Sequence, residues 1–146
     1  MNLRTSRGFS LVELAITVLI MGMMLAFTLP AIRGLSDRYQ LKGAVENISG
    51  QLRMAREKAI ATAAMQTVHF SAAYMNSDYH IHNGALVDPK WNLPNHIAYY
   101  WGAGTQWEYR MTKDGRCMDS GMIILQDPKG NRDTVSVQLS GLILTK

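Results

Sequence analysis

The chain of 146 residues has room for one domain, and for less once its densest apolar stretch is set aside. Its formal net charge is +4, from 15 Lys+Arg against 11 Asp+Glu, and falls to 13 − 11 = +2 without Arg4 and Arg7. Such weak basicity excludes a dense cationic face that would hold nucleic acid by charge alone, and a single cysteine, Cys117, excludes an intrachain disulfide.

The apolar stretch comes first. Phe9 to Ile32 is 24 residues with one charge, Glu13. As a helix it is about 36 Å long, enough for a hydrocarbon core of about 30 Å. A secretory signal has an apolar core of about 7–15 residues ending at a small-residue cleavage site. This run is longer, and AFTLPAI is a poor cleavage context. Arg4 and Arg7 favour a cytoplasmic N-terminus with the remainder translocated, although Arg33 and Arg38 pull the other way. Nothing later is long and apolar enough to span again, so a single-pass chain is expected. An ionised carboxylate deep in a bilayer costs about 2.5–3.5 kcal/mol on insertion scales. Proximity to a helix start or protonation would make Glu13 tolerable without saying why it is there.

The residues RGFSLVEL resemble the class III signal of type IV pilins and type II secretion pseudopilins. They present a short basic leader ending in Gly8, then Phe9, an acid at the fifth position after Gly8, and a long apolar helix. The resemblance implies that prepilin peptidase cuts Gly8–Phe9 on the cytoplasmic side and methylates the new amino group of Phe9. The helix then stays on the mature protein. It further implies that Glu13 pairs with the N-terminal ammonium of a neighbouring subunit as a filament assembles. Mutual neutralisation would ease the burial of both charges and select an axial register. Gly22 and Pro30 disfavour helix in general; by resemblance, the stretch between them is where related pilins loosen in the filament. The Met-rich IMGMML reads as apolar surface that packs adaptably.

From Leu35 to about Ala64 the pattern is helical. Leu41, Val45, Ile48, Leu52, Ala55 and Ala59 recur at steps of three and four as one apolar stripe. Lys42 and Glu46 form a favourable spacing on its surface, and Arg53, Arg56 and Lys58 read as a solvated flank. One long helix is expected over the first sixty-odd residues, with a break admitted near Pro30.

After Met65 the period becomes two. Val68/Phe70/Ala72, Tyr79/Ile81, Ile97–Trp101, Trp107/Tyr109/Met111, Met122–Leu125, Val135/Val137/Leu139 and Leu142–Leu144 are expected strands. The turn signals HNGA, DPKWNLPN, GAG, KDGR, DPKGN and a two-residue SG separate them. The fold class is therefore α+β: a long N-terminal α-helix packed on a C-terminal antiparallel β-sheet or small β-sandwich.

This half carries no persuasive catalytic set, and no enzyme, cofactor or metal is expected. His80-x-His82 puts two imidazoles on one strand face, but His69 and His96 lie apart in sequence and no Cys or acid cluster completes a site, so an exposed strand face is expected. Asp114, Asp119 and Asp127 sit at turns, where aspartate bonds locally. Cys117 reads as a small buried side chain. YYWGAGTQW reads as strand and core packing, with a binding patch as the alternative.

The whole layout is similar to the H-type minor pseudopilins and their FimT-like relatives, through LRMAREKAIATAAMQTVHF, IILQDPKGN and a terminal hairpin. The segments implied are a leader 1–8, a membrane and filament-core helix 9–32, an amphipathic helix 33–65 and a β-rich head 66–146. Two functions follow from the resemblance. One is a structural subunit of a periplasmic pseudopilus, held in the inner membrane with its head in the periplasm before assembly. There it would contact other pseudopilins, and also cargo or the outer-membrane channel. The other is a FimT-like minor pilin of a DNA-uptake pilus. Those relatives carry Gly-Arg-x-Arg where this chain has Gly141-Leu142-Ile143-Leu144, without arginine. Arg110, Lys113, Arg116, Lys129 and Arg132 could instead form a loop patch for nucleic acid.

Overall fold

The computed structural model describes residues 9–70, 77–84 and 86–146, with the backbone alone at 29–34 and 86–89. The chain divides into two compact units, Met1–Ser36 and Asp37–Lys146. One helix, α1, is assigned from Leu11 to Thr62 and contributes to both.

In the first unit every described side chain from Phe9 to Thr28 is exposed. The window Leu11–Thr28 has a mean hydropathy of 2.2, long and apolar enough to cross a membrane. Its hydroxyls are satisfied within the helix: Thr17 Oγ1 donates to the Leu14 carbonyl at 2.8 Å and Thr28 Oγ1 to that of Met24 at 2.7 Å. No hydroxyl proton is thus left over to oppose burial in lipid. The break admitted near Pro30 is not seen in the isolated chain, whose backbone is helical through both Gly22 and Pro30.

The second unit closes its own core. All six stripe residues, Leu41, Val45, Ile48, Leu52, Ala55 and Ala59, are buried, joined by Ala44. Each of the buried Leu, Val and Ile side chains contributes roughly 1.5–3 kcal/mol, and the alanines less. The helix ends at Thr62, and Ala63 takes a φ of 49°, the left-handed stop that glycine usually provides.

Eight strands follow: β1 Gln66–Phe70, β2 Tyr79–Asn83, β3 Leu86–Trp91, β4 Ala98–Tyr99, β5 Glu108–Met111, β6 Gly121–Gln126, β7 Arg132–Val137 and β8 Ile143–Thr145. They form two antiparallel four-stranded sheets, ordered β3-β2-β1-β5 and β4-β6-β7-β8. Period-two alternation sends Val68, Phe70, Tyr79, Ile81, Tyr109 and Met111 of the first sheet into one core with the helix stripe. Ile123, Leu125, Val135, Val137 and Ile143 of the second join it. Phe70 lies among aromatic neighbours, its ring centre 5.8 Å from Tyr79, 6.0 Å from Tyr109 and 6.2 Å from Tyr99.

Three expectations are corrected. DPKW is not a turn but the last four residues of β3. The register slips between the pairs His80–Lys90 and His82–Val87, so one extra residue bulges out around Asp88-Pro89. A proline is tolerated there because an edge strand and a bulge both spare its missing N–H. The last hairpin turns on three residues, Leu139-Ser140-Gly141, rather than two. The Gly141 amide donates to the Gln138 carbonyl at 2.9 Å, and Gly141 has a φ of 78°. The third correction concerns His80, which is 1% exposed, so its strand face is not an open one. Ala72, expected in the first strand, lies outside the described residues, and Leu139 is an exposed loop residue beyond the end of β7.

Candidate functional site

The start of α1 is built by Ser10. Its Oγ accepts from the Val12 amide at 3.2 Å and its carbonyl from the Leu14 amide at 3.1 Å. That makes Ser10 the N-cap, a role worth about 1 kcal/mol relative to alanine. Glu13 stands three residues on, in the first turn, completing the Ser-x-x-Glu spacing of a capping box. The sequence reading treated Ser10 as part of the signal and missed this signature.

Glu13 is exposed and makes no hydrogen bond or ion pair with another described residue. It is an acid on an apolar helix, next to a dipole end that favours negative charge. Phe9 is also exposed, while Gly8 lies outside the described residues together with Arg4 and Arg7. At Gly22 an added Cβ would meet nothing within 4 Å, so no packing within this unit demands glycine there. The side chain of Pro30 lies outside the described residues.

Most of the head's loop cations are already engaged. Arg110 grips Asp119 with two hydrogen bonds, Nε to Oδ2 at 2.9 Å and Nη2 to Oδ1 at 2.8 Å. This bond holds the Asp119 carboxyl below the ordinary aspartate range. The guanidinium of Arg132 lies 3.5 Å from the Tyr100 ring centre, and Lys129 Nζ is 3.4 Å from Asp37 Oδ2. Of the five proposed patch residues, Lys113 and Arg116 have neither a charged nor an aromatic side-chain partner among the described residues. In the terminal hairpin, Leu142 and Leu144 are exposed and Ile143 is buried.

The turn aspartates divide. Asp127 accepts from the Lys129 and Asn131 amides at 2.9 and 2.8 Å, the local role expected of it, while Asp119 is the partner of Arg110 instead. Cys117 is buried, and burial pushes its thiol pKa up, away from reactivity. In the aromatic segment, the Tyr99 hydroxyl donates to the Asp78 carbonyl at 3.0 Å. Trp101 and Trp107 remain half exposed around a hollow of about 300 Å³ shared with Phe70 and Thr105. That segment is thus packing at one end and surface at the other.

On the far face of the first sheet, His69, His80 and His82 come together, with Glu108 Oε2 3.8 Å from His69 Nε2. Among the described residues, no three His, Cys, Asp or Glu side chains are placed, as they stand, to hold a metal ion.

Residues 3–29 match the family model described as the prokaryotic N-terminal methylation motif. No curated protein matches the chain in sequence. Among solved structures it is similar to the type IV minor pilin FimU of Pseudomonas aeruginosa, with a TM-score of 0.60 and 13% identity over 77% of this chain and 92% of that one. A second crystal form of FimU gives a TM-score of 0.56 and 12% identity over 73% and 92%. The minor pseudopilin EpsH of the Vibrio cholerae Type 2 Secretion System gives 0.55 and 11% over 73% and 96%. The chain thus joins a methylation motif at the start of an apolar helix to a fold similar to those of a minor pilin and a minor pseudopilin.

Proposed function

We propose that the chain is a low-abundance structural subunit of a pilin-type filament, and not an enzyme. In this reading prepilin peptidase removes residues 1–8 at Gly8–Phe9 and methylates Phe9. Residues 9–32 then anchor the subunit in the inner membrane, N-terminus cytoplasmic, and later enter the filament core. Residues 33–65 cover the sheets and 66–146 form a periplasmic head. Glu13 pairs with the methylated ammonium of a neighbour, and the stretch from Gly22 to Pro30 loosens on assembly. The observation that carries the reading is a capped helix whose apolar stretch Leu11–Thr28 is exposed throughout, with a carboxylate in its first turn and no described partner for it.

Among filaments we assign it to a type II secretion pseudopilus, near the tip, where it helps start assembly and engages cargo or the outer-membrane channel. The likeness to a type IV minor pilin favours a second reading, a minor subunit of a surface pilus. A DNA-uptake role has less support, because Arg110, Lys129 and Arg132 are spent inside the head and Gly141–Leu144 has no arginine. Deletion of the gene, scored in parallel for exoprotein secretion, surface pili and DNA uptake, separates the three. Loss of secretion alone supports the first assignment, and an effect on pili or uptake alone overturns it. Processing is tested by Gly8→Leu, which should leave an uncleaved membrane-held precursor; mature protein beginning at Phe9 in that variant would sink the cleavage assignment.

A further inference from the structure

Strand pairing sets a row of side chains across the far face of the first sheet. Glu108 on β5 faces His69 on β1, His69 faces His80 on β2, and His80 faces Lys90 on β3. His82, two residues along β2, points to the same face as His80. The three imidazole ring centres lie 5.0, 5.4 and 5.7 Å apart. A tetrahedral ion held by three imidazole nitrogens at about 2.0–2.1 Å puts the ring centres about 5 Å apart. The ring-centre spacing is therefore close to that of a shared ion, although the ring nitrogens do not yet converge.

We propose that His69, His80 and His82 bind one divalent transition-metal ion of the zinc class, tying β1 to β2 in the head.

Two further observations fit a ligand set. His82 Nδ1 is buried without a hydrogen-bond partner among the described residues, a nitrogen lone pair or N–H with nothing to meet. Glu108 stands on the His69 imidazole at 3.8 Å, where a carboxylate commonly orients a metal-binding histidine through its other ring nitrogen. His69 would then bind through Nδ1. The rings are not yet convergent, since His69 and His80 lie parallel within 3°. Closing the shell takes rotation about the last side-chain torsion, which is broad for histidine. Imidazole suits zinc, copper and nickel rather than magnesium or calcium. The cations in reach are Lys90, which is exposed, and Arg110, which is neutralised by Asp119.

The test uses the full chain without a polyhistidine tag, purified in detergent, stripped with chelator and titrated with Co²⁺ as a visible probe, then with Zn²⁺ in competition. One Co²⁺ per chain with the intense visible bands of a tetrahedral site is expected, displaced by Zn²⁺, together with a Zn²⁺-dependent rise in Tm. His69→Gln and His82→Gln should each weaken binding more than tenfold, and Glu108→Gln by about tenfold or more. His96→Gln should change nothing. His80 is so buried that its variant could fail by unfolding, so the half-buried His82 is the deciding position. Uptake below one ion per chain, or full affinity in both His69→Gln and His82→Gln, overturns the site.

Discussion

Replacing Glu13 by Gln and by Ala separates two reasons for an acid in an apolar helix. If Glu13 serves the helix start alone, its value is that of the third helical position behind the Ser10 cap, where Ser10 Oγ meets the Val12 amide at 3.2 Å. Glutamine fills that position in a capping box as well as glutamate does. The remaining loss is the dipole contribution, about 0.3–1 kcal/mol. Alanine has no side-chain acceptor with which to close such a box, a bond Glu13 does not make in this structure, so on this account Ala is at most slightly the worse variant and Gln is nearly silent. If Glu13 is half of a charge pair between subunits, the ranking changes. Either substitution leaves a neighbour's ammonium buried and unpaired, and breaking such a pair costs about 3–5 kcal/mol. At about 1.4 kcal/mol per tenfold, assembly weakens by a hundredfold to a few thousandfold. Membrane insertion should not suffer, because both variants remove an ionised group from the apolar run. The assay compares the membrane fraction with the sheared or crosslinked filament fraction, by immunoblot, for wild type and both variants. Equal membrane levels with near-complete loss from filaments in both are expected. Glu13→Gln entering filaments like wild type while Glu13→Ala does not would refute the pairing and leave only the cap.

Two further predictions concern the head. At Gly141 a Cβ would stand 2.1 Å from the Gly115 carbonyl oxygen, the same oxygen that accepts from Arg56 Nε at 2.7 Å. Gly141→Ala therefore combines left-handed strain of about 1–2 kcal/mol with loss of a charged hydrogen bond worth about 1.5–3 kcal/mol. A fall in Tm of about 10 °C or more should follow. Gly84→Ala, with a φ of 63° but nothing within 4 Å, carries the strain alone and should cost less than half as much; equal losses would refute the close-approach argument. Asp119 is held below the ordinary aspartate range chiefly by its hydrogen bond from Arg110. A carboxyl depressed on folding stabilises the head above its unfolded pKa, and that stability is lost as pH falls through the folded value. The stability advantage of wild type over Asp119→Asn should be full near pH 6, begin to fall near about pH 4 and vanish only once the pH is below the depressed folded value. Urea denaturation across that range checks it, and an advantage independent of pH would show that the ion pair is not its source.

What could be read from sequence follows the range of the interaction. The helix stripe was legible residue by residue, because steps of three and four are local and all six positions are buried. So were Asp127 as a turn residue and most strands. β3 was not, because Asp88-Pro89 is a strong turn signal and only its place at an edge bulge makes a strand tolerable. Asp119 read as a turn residue because its partner, Arg110, sits nine residues earlier and meets it only when the chain folds back. The histidines show the same limit. The His80-x-His82 spacing is visible in the sequence, but His69 joins them only through the β1–β2 register, which no local pattern fixes. Around Glu13 the difficulty is different: the Ser-x-x-Glu signature was in plain view, overshadowed by the stronger resemblance to a peptidase signal at the same residues.

In the proposed filament, the helix start also carries a constraint on how subunits recognise one another. From Leu11 to Thr28 the described surface is apolar side chains, with Thr17 and Thr28 turned back onto their own backbone. In a bilayer such a surface gains little from burial against another helix, since lipid tails are as apolar as leucine. Methionines at 21, 23 and 24 adapt to many contours and so specify none. A slip of one helix along another would therefore exchange apolar contacts for similar ones. Glu13 is the one ionisable group in this window, so it is where an axial slip becomes expensive. In the proposed filament, register information sits in Glu13 and in the ammonium that appears when Gly8–Phe9 is cut. Cleavage would then do more than remove a leader, because an uncut subunit has the acid but lacks the cation its neighbour needs.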